Sequence, residues 1–209
     1  MTAVKICGLT RSSDVELACA LGAAYVGFNF STRSPRRVTV EAGRRLADAT
    51  LSHVLRVGVF VEESYEAMAE AADAARLDLV QIHRNLREED LRRAPRPVLA
   101  VAAVDGVMVE APEELLPRCR AVLFDSNAGG RSGGTGAPFD WSVLEQRRWP
   151  VPVFLAGGLG PANVGEVIRR LRPAAVDVAS GVERSPGIKD PERMERFFAA
   201  VREADREAS

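Results

Sequence analysis

Eight short apolar runs, each followed by a segment of helical spacing, divide this chain. That alternation limits its possible folds more than any other feature. The runs are AVKIC (3–7), AYVGFNF (24–30), LRVGVFV (55–61), LDLVQIH (77–83), PVLAVAA (97–103), AVLFDS (121–126), VPVFLAG (151–157) and AVDVASG (175–181). Most are continuously apolar rather than alternating, as strands covered on both faces must be, and parallel sheets flanked by helices bury both faces. Strand–helix alternation predicts parallel βαβ units. Eight of them in 209 residues close into one (β/α)8 TIM barrel of parallel strands, a single domain over residues 1–209. The alternative is an open doubly wound sheet, but no G-x-G-x-x-G follows the first run and no Gly-rich segment carries GK[ST].

The intervening segments read as helices. SSDVELACALGA starts on serines placed to cap it and ends near Gly22. VEAGRRLADA, SYEAMAEAADAA, REEDLRRA, FDWSVLEQRR, PANVGEVIRRL and DPERMERFFAAVREAD follow the same pattern, and the READREAS tail after Phe198 reads as a solvated helix end. The segment after the fifth run, APEELL, is short and Pro-bounded, the weakest helix of the set.

Composition removes several function classes. The net charge of −1 comes from intermixed charges, and no basic stripe or aromatic platform suits nucleic acid. The apolar runs fall short of the roughly 18 residues a membrane span needs, and the N-terminus lacks the apolar region of a secretory leader. Cys7, Cys19 and Cys119 cannot all pair and show no CxxC spacing, and there are two histidines, so neither a metal nor a disulfide framework is expected. A soluble, cytoplasmic protein in a reducing compartment is predicted. Monomer and homodimer both stay open, since no helix shows a decisive exposed apolar stripe.

Chemistry in such a barrel gathers at the C-terminal strand ends. Cys7 stands there after run one, His83 after run four and Asp125 at the end of run six; Arg36 lies in the loop after run two. Gly157 and Gly158 close run seven, and Ser180 and Gly181 close run eight. These two loops are where barrels often hold a phosphate, with backbone N–H groups and the start of a helix, here near Pro161, facing the anion. The long loop NAGGRSGGTG, with Gly134, Thr135 and Gly136, is a further source of N–H groups, a lid hinge or simply a solvated loop. Cys7 is either a small buried hydrophobe or one half of a proton-transfer pair with Asp125. Arg36 reads by itself as a water-facing loop arginine, His83 as structural or substrate-orienting. Buried or neutral roles suit Cys19 and Cys119, and His53 faces solvent or serves structure.

Nearly end to end, the sequence resembles the N-(5′-phosphoribosyl)anthranilate isomerase family of tryptophan biosynthesis. The resemblance rests on KICGLT, GFNF with SPRRV, RVGVFV, VQIH, LFDS…GGTG…FDW, LAGGLGPANV and DVASGVERSPGIKD. It implies an eightfold barrel that uses neither cofactor nor metal on a small phosphosugar substrate. Cys7 is then the general base and Asp125 the general acid of an Amadori rearrangement. Arg36 holds the anthranilate carboxylate, and Gly158, Ser180 and Gly181 fall where the family grips phosphate. Two positions depart from the family pattern: Arg84 follows His83, and Asn29 interrupts GFNF. A related histidine-pathway barrel performs the same chemistry but is similar to a twofold repeat with aspartate at the place of Cys7. A non-catalytic phosphosugar-binding barrel is the reading from another class.

Overall fold

The computed structural model of the chain describes residues 1–105, 108–125, 142–145 and 147–208. Eight strands are β1 (Ala3–Ile6), β2 (Tyr25–Asn29), β3 (Leu55–Phe60), β4 (Leu79–Ile82), β5 (Val98–Asp105), β6 (Ala121–Asp125), β7 (Val153–Ala156) and β8 (Ala175–Val178). Their spatial order is β4-β3-β2-β1-β8-β7-β6-β5, every neighbouring pair parallel. Pairing of Val80 with Val98 and Ile82 with Ala100 joins β4 to β5 and closes the ring. The expected barrel is therefore present.

Strand alternation sorts the side chains into two cores. Val57, Leu79, Leu99, Leu123 and Phe154 point inward and fill the barrel, with Tyr25 packed edge-on against Phe154 at 5.1 Å between rings. Val4, Ile6, Val26, Phe28, Ile82 and Phe124 point outward into a second core beneath the helices. Both faces of each strand are dry, which is why the runs are continuously apolar.

The helices are α1 (Ser12–Leu21), α2 (Val40–Asp48), α3 (Tyr65–Ala74), α4 (Glu88–Arg93), α5 (Ser142–Glu145), α6 (Val164–Leu171) and α7 (Pro191–Glu207). Thr39, Ser64 and Asp190 cap α2, α3 and α7 by accepting from backbone N–H groups. At Gly22 the chain takes φ +100° and ends α1 as anticipated.

Four local expectations need correction. The serines do not cap α1: they lie inside it, and Arg11 precedes it, clamped to Asp14 by two hydrogen bonds of 2.7 and 3.0 Å. APEELL forms no α-helix, because the chain after β5 returns as a short antiparallel strand, Met108–Glu110, and then makes only a 3-10 turn at Leu116–Arg118. The helix after β7 begins at Val164, not near Pro161, since the Asn163 side chain ties Gly158 and Gly160 into a turn. The tail after Phe198 is only half solvated: Val201 and Ala204 are buried, and Asp205 accepts from Thr2 at 2.7 and 2.8 Å.

Candidate active site

The ring of strand ends opens onto a cavity of about 230 Å³. Cys7, Arg36, His83, Asp125, Gly157, Gly158 and Ser180 all line it, together with Asn29, Gln81 and Asp177. Gly134, Thr135 and Gly136 lie outside the described residues, as does the FDW stretch (139–141).

Cys7 continues the ladder of β1 by donating its N–H to Val178 O at 2.9 Å, which turns its thiol into the barrel. Gly8 then takes φ +71°, a conformation that costs a side-chain-bearing residue energy. A methyl group there would also collide with the Arg36 side chain. The cysteine–glycine pair thus turns the thiol inward and lets Arg36 cross beside it. Although the sulfur meets the cavity, protein surrounds it on its other sides. That burial is the largest influence on the thiol and pushes its pKa up, opposed by the ammonium groups of Lys5 and Lys189.

Asp125 ends β6, three strands round the ring from β1, and its Oδ2 lies 3.5 Å from His83 Nε2. Arg36 reaches the cavity wall with Nε and Nη2 already held by the Glu183 carboxylate at 2.8 and 2.7 Å. Glu183 also accepts from Lys189 Nζ at 2.9 Å. Burial works to raise the Glu183 carboxyl, but Arg36 and Lys189 outweigh it and hold the pKa below the ordinary range.

The glycine loops meet. Gly157 and Gly158 adopt φ of +87° and +65°, a turn natural to glycine. Ser180 opens a 3-10 turn at Ser180–Val182, and Gly181 lies so close to Leu159 that a methyl group would overlap its carbonyl oxygen. Together the two loops roof one side of the cavity.

The departures have structural explanations. Arg84 turns away from the cavity, donating to Val61 O at 2.8 Å and to the fully buried Asp90 at 2.6 Å, so it fastens the strand-four loop to α4. Asn29 accepts from Ser31 N–H at 3.0 Å while facing the cavity. Cys19 and Cys119 are buried, and burial pushes the Cys119 thiol up to about 11. His53 is exposed.

Sequence reasoning missed Lys5, Gln81, Asp177, Glu183 and Lys189. Lys5 and Asp177 pair within the barrel, Nζ to carboxylate at 3.0 and 3.1 Å. Gln81 is 3% exposed and its Oε1 has no hydrogen-bond partner among the described residues. The available signal was a charged or amide residue at an inward position of an otherwise apolar run, as in AVKIC and AVDVA.

The model of the family described as N-(5′phosphoribosyl)anthranilate (PRA) isomerase matches residues 4–200. The chain belongs to this isomerase family. Among its relatives, the N-(5′-phosphoribosyl)anthranilate isomerase of Syntrophus aciditrophicus is 43% identical over 204 residues, covering 97% of this chain and 88% of that protein. The crystal structure of the phosphoribosyl anthranilate isomerase of Thermotoga maritima superposes with a TM-score of 0.85 at 34% identity, covering 97% of this chain and 100% of that one. Another isomerase structure, in complex with reduced 1-(o-carboxyphenylamino)-1-deoxyribulose 5-phosphate, gives a TM-score of 0.81 at 33% identity, with 97% and 100% covered. As a phosphoribosylanthranilate isomerase, the chain is an enzyme of tryptophan biosynthesis. Among its described residues, no helix is long and apolar enough to cross a membrane.

Proposed function

We propose that this enzyme converts N-(5′-phosphoribosyl)anthranilate to 1-(o-carboxyphenylamino)-1-deoxyribulose 5-phosphate with Asp125 as general acid and Cys7 as general base. One observation carries the reading: Cys7 and Asp125 face the same cavity from strands three places apart in the ring, beside a roof of glycine loops. In this scheme Asp125 gives its proton to the ribose ring oxygen, and the C1′–O bond breaks to leave a Schiff base at the anthranilate nitrogen. The Cys7 thiolate then takes the C2′ proton. The C–H electron pair moves to form the enolamine, which tautomerises to the ketose.

The phosphate is assigned to the backbone N–H groups of Gly157, Gly158, Ser180 and Gly181, whose loops already touch. His83, 3.5 Å from Asp125, orients the acid toward the sugar. Arg36 meets the anthranilate carboxylate with its remaining Nη1 edge while Glu183 fixes the guanidinium plane. The single barrel domain spans residues 1–209.

Cys7→Ala and Asp125→Ala are each expected to lower kcat by about 10²–10⁴-fold, the usual contribution of a positioned acid or base. Binding of the reduced product analogue should stay measurable in both. Full turnover in either variant, followed by loss of the substrate's fluorescence, would show that the proton-transfer residue is another one.

A further inference from the structure

Three cations crowd the strand-one cysteine, more than a simple thiol–carboxyl pair requires. Lys5 is 0% exposed and gives both of its carboxylate hydrogen bonds to Asp177 on the neighbouring strand. It lies two residues before Cys7 on β1, so both side chains point into the barrel. Position 27 on β2 is glycine, and the space is used. A methyl group there would lie 3.0 Å from Cys7 Sγ and 3.3 Å from Lys5 Nζ. Sulfur and ammonium therefore approach each other across the gap that the missing side chain leaves.

Lys189, 1% exposed, grips Cys7 from the other side by donating to its carbonyl oxygen at 2.6 Å and to Ala179 O at 3.0 Å. Glu183 and Arg36 complete this cluster. Lys5, Lys189 and Arg36 supply three positive charges and Asp177 and Glu183 two negative ones, so the cluster carries +1 with Cys7 protonated and becomes neutral with the thiolate. Asp125 and His83 face the same sulfur from across the cavity. A buried ion pair is weak evidence for stability, because well-packed apolar residues of similar volume often do as well or better. Lys5 and Asp177 take the inward positions next after Ala3 and Ala175, which pack with the apolar barrel core, so a role in stability alone does not explain them.

We propose that Lys5 is a positioning residue for the reaction: braced by Asp177 and seated beside Cys7 in the gap at Gly27, its ammonium favours the cysteine thiolate over the thiol. This rests on the reading of Cys7 as base. Lys5 keeps its own proton throughout; the thiolate takes the C2′ proton and returns it to solvent or product. Burial is the largest influence on Lys5 and works to deprotonate it, but Asp177 and Cys7 outweigh burial and hold its pKa above the ordinary lysine value. On Cys7, burial and Asp177 keep the thiol above its ordinary value, and Lys5 is the strongest influence drawing it back down.

The test is the pH profile of Cys7 alkylation by iodoacetamide, read on the Cys7 peptide by mass spectrometry, with turnover followed in parallel. Lys5→Met is expected to slow alkylation at pH 7.5 at least tenfold, equivalent to one unit of thiol pKa, with the rate recovering at alkaline pH. The value of kcat should fall in step while KM changes little, a split that mere loosening of the barrel would not produce. Lys5→Met leaves Asp177 unpaired and could unfold the barrel. The double variant Lys5→Met/Asp177→Asn, which buries no lone charge, is therefore measured beside it and should shift the profile in the same direction but by less, because Asp177 itself disfavours the thiolate. A wild-type alkylation profile in a folded variant would overturn the proposal. Turnover surviving in Cys7→Ala would instead remove the base assignment, and the alkylation profile would still decide whether Lys5 controls the thiol.

Discussion

Replacing Gly181 with alanine tests the roof of the cavity by a change of one methyl group. The backbone at Gly181 is not in the left-handed region, so the reason for glycine is space. The added carbon would overlap Leu159 O and stand 2.9 Å from the Leu159 carbonyl carbon and 3.0 Å from Gly160 Cα. Ordinary carbon contacts begin near 3.5 Å, and every atom in the way is backbone, so the two loops must separate by about 1 Å. Overpacking of this kind costs roughly 1–3 kcal/mol, which at 2–4 °C per kcal/mol lowers Tm by roughly 2–12 °C. The effect on binding is larger in proportion. On the proposed assignment, N–H groups that share one phosphate lose alignment together, and each hydrogen bond to a charged group contributes about 1.5–3 kcal/mol. KM for phosphoribosylanthranilate should therefore rise at least tenfold, with a smaller change in kcat. Gly158→Ala is the control: its φ of +65° is strained for alanine, but a methyl group there has nothing within 4 Å among the described residues. It should cost about 1–2 kcal/mol of stability with a smaller KM effect. A Gly181→Ala enzyme with wild-type Tm and KM would refute the assignment of these loops to the phosphate.

Arg84→Met removes the contacts to Val61 O and Asp90 and leaves the buried carboxylate with Tyr65, the Arg87 N–H and the more distant Arg87 side chain at 3.5 Å. It is expected to cost about 3 kcal/mol by thermal or urea unfolding, with kcat preserved; a lower kcat at unchanged stability would place Arg84 in the site after all. Burial works to raise the Asp90 carboxyl, but Arg84, Tyr65 and the Arg87 N–H outweigh it and hold the pKa below the ordinary value. Stability from such a depressed carboxyl is present above the unfolded pKa and lost as pH falls through the folded one, so the gap between Arg84→Met and wild type should close below about pH 4. Arg36→Lys keeps the charge but not the planar fork that Glu183 and the substrate carboxylate would share. KM should rise roughly tenfold or more, the equivalent of one lost charge-assisted hydrogen bond, and an unchanged KM in steady-state assays would remove Arg36 from the carboxylate site.

The barrel was legible because its period is written twice, in the apolar runs and in the helical spacing between them. A strand dry on both faces has few acceptable residues, so AYVGFNF and AVLFDS declare themselves. What escaped was local and depended on partners distant in sequence. The serines ahead of α1 suit a cap, yet the Arg11–Asp14 clamp sets the helix start one residue earlier. After β5 the chain is taken up by an antiparallel return as far as Glu110, and the short Pro-bounded segment that follows makes only a 3-10 turn.

The candidate site divides in the same way. Strand-end residues could be found by position alone, because Cys7, His83 and Asp125 sit where each apolar run stops. Lys5 and Asp177 could not, since each sits inside a run and makes sense only through the register that sets β1 beside β8, 172 residues apart in the sequence. Glu183 and Lys189 were visible within the motif SGVERSPGIKD, but their use emerges only when the chain folds back to bring one carboxylate between Arg36 and Lys189. Local spacing reports which backbone a residue occupies; the charge that surrounds a thiol is fixed by closure of the ring. The reactivity proposed for Cys7 is therefore a property of the closed barrel, and a variant that alters only the Lys5 contact with Asp177 should change the chemistry of a residue it leaves in place.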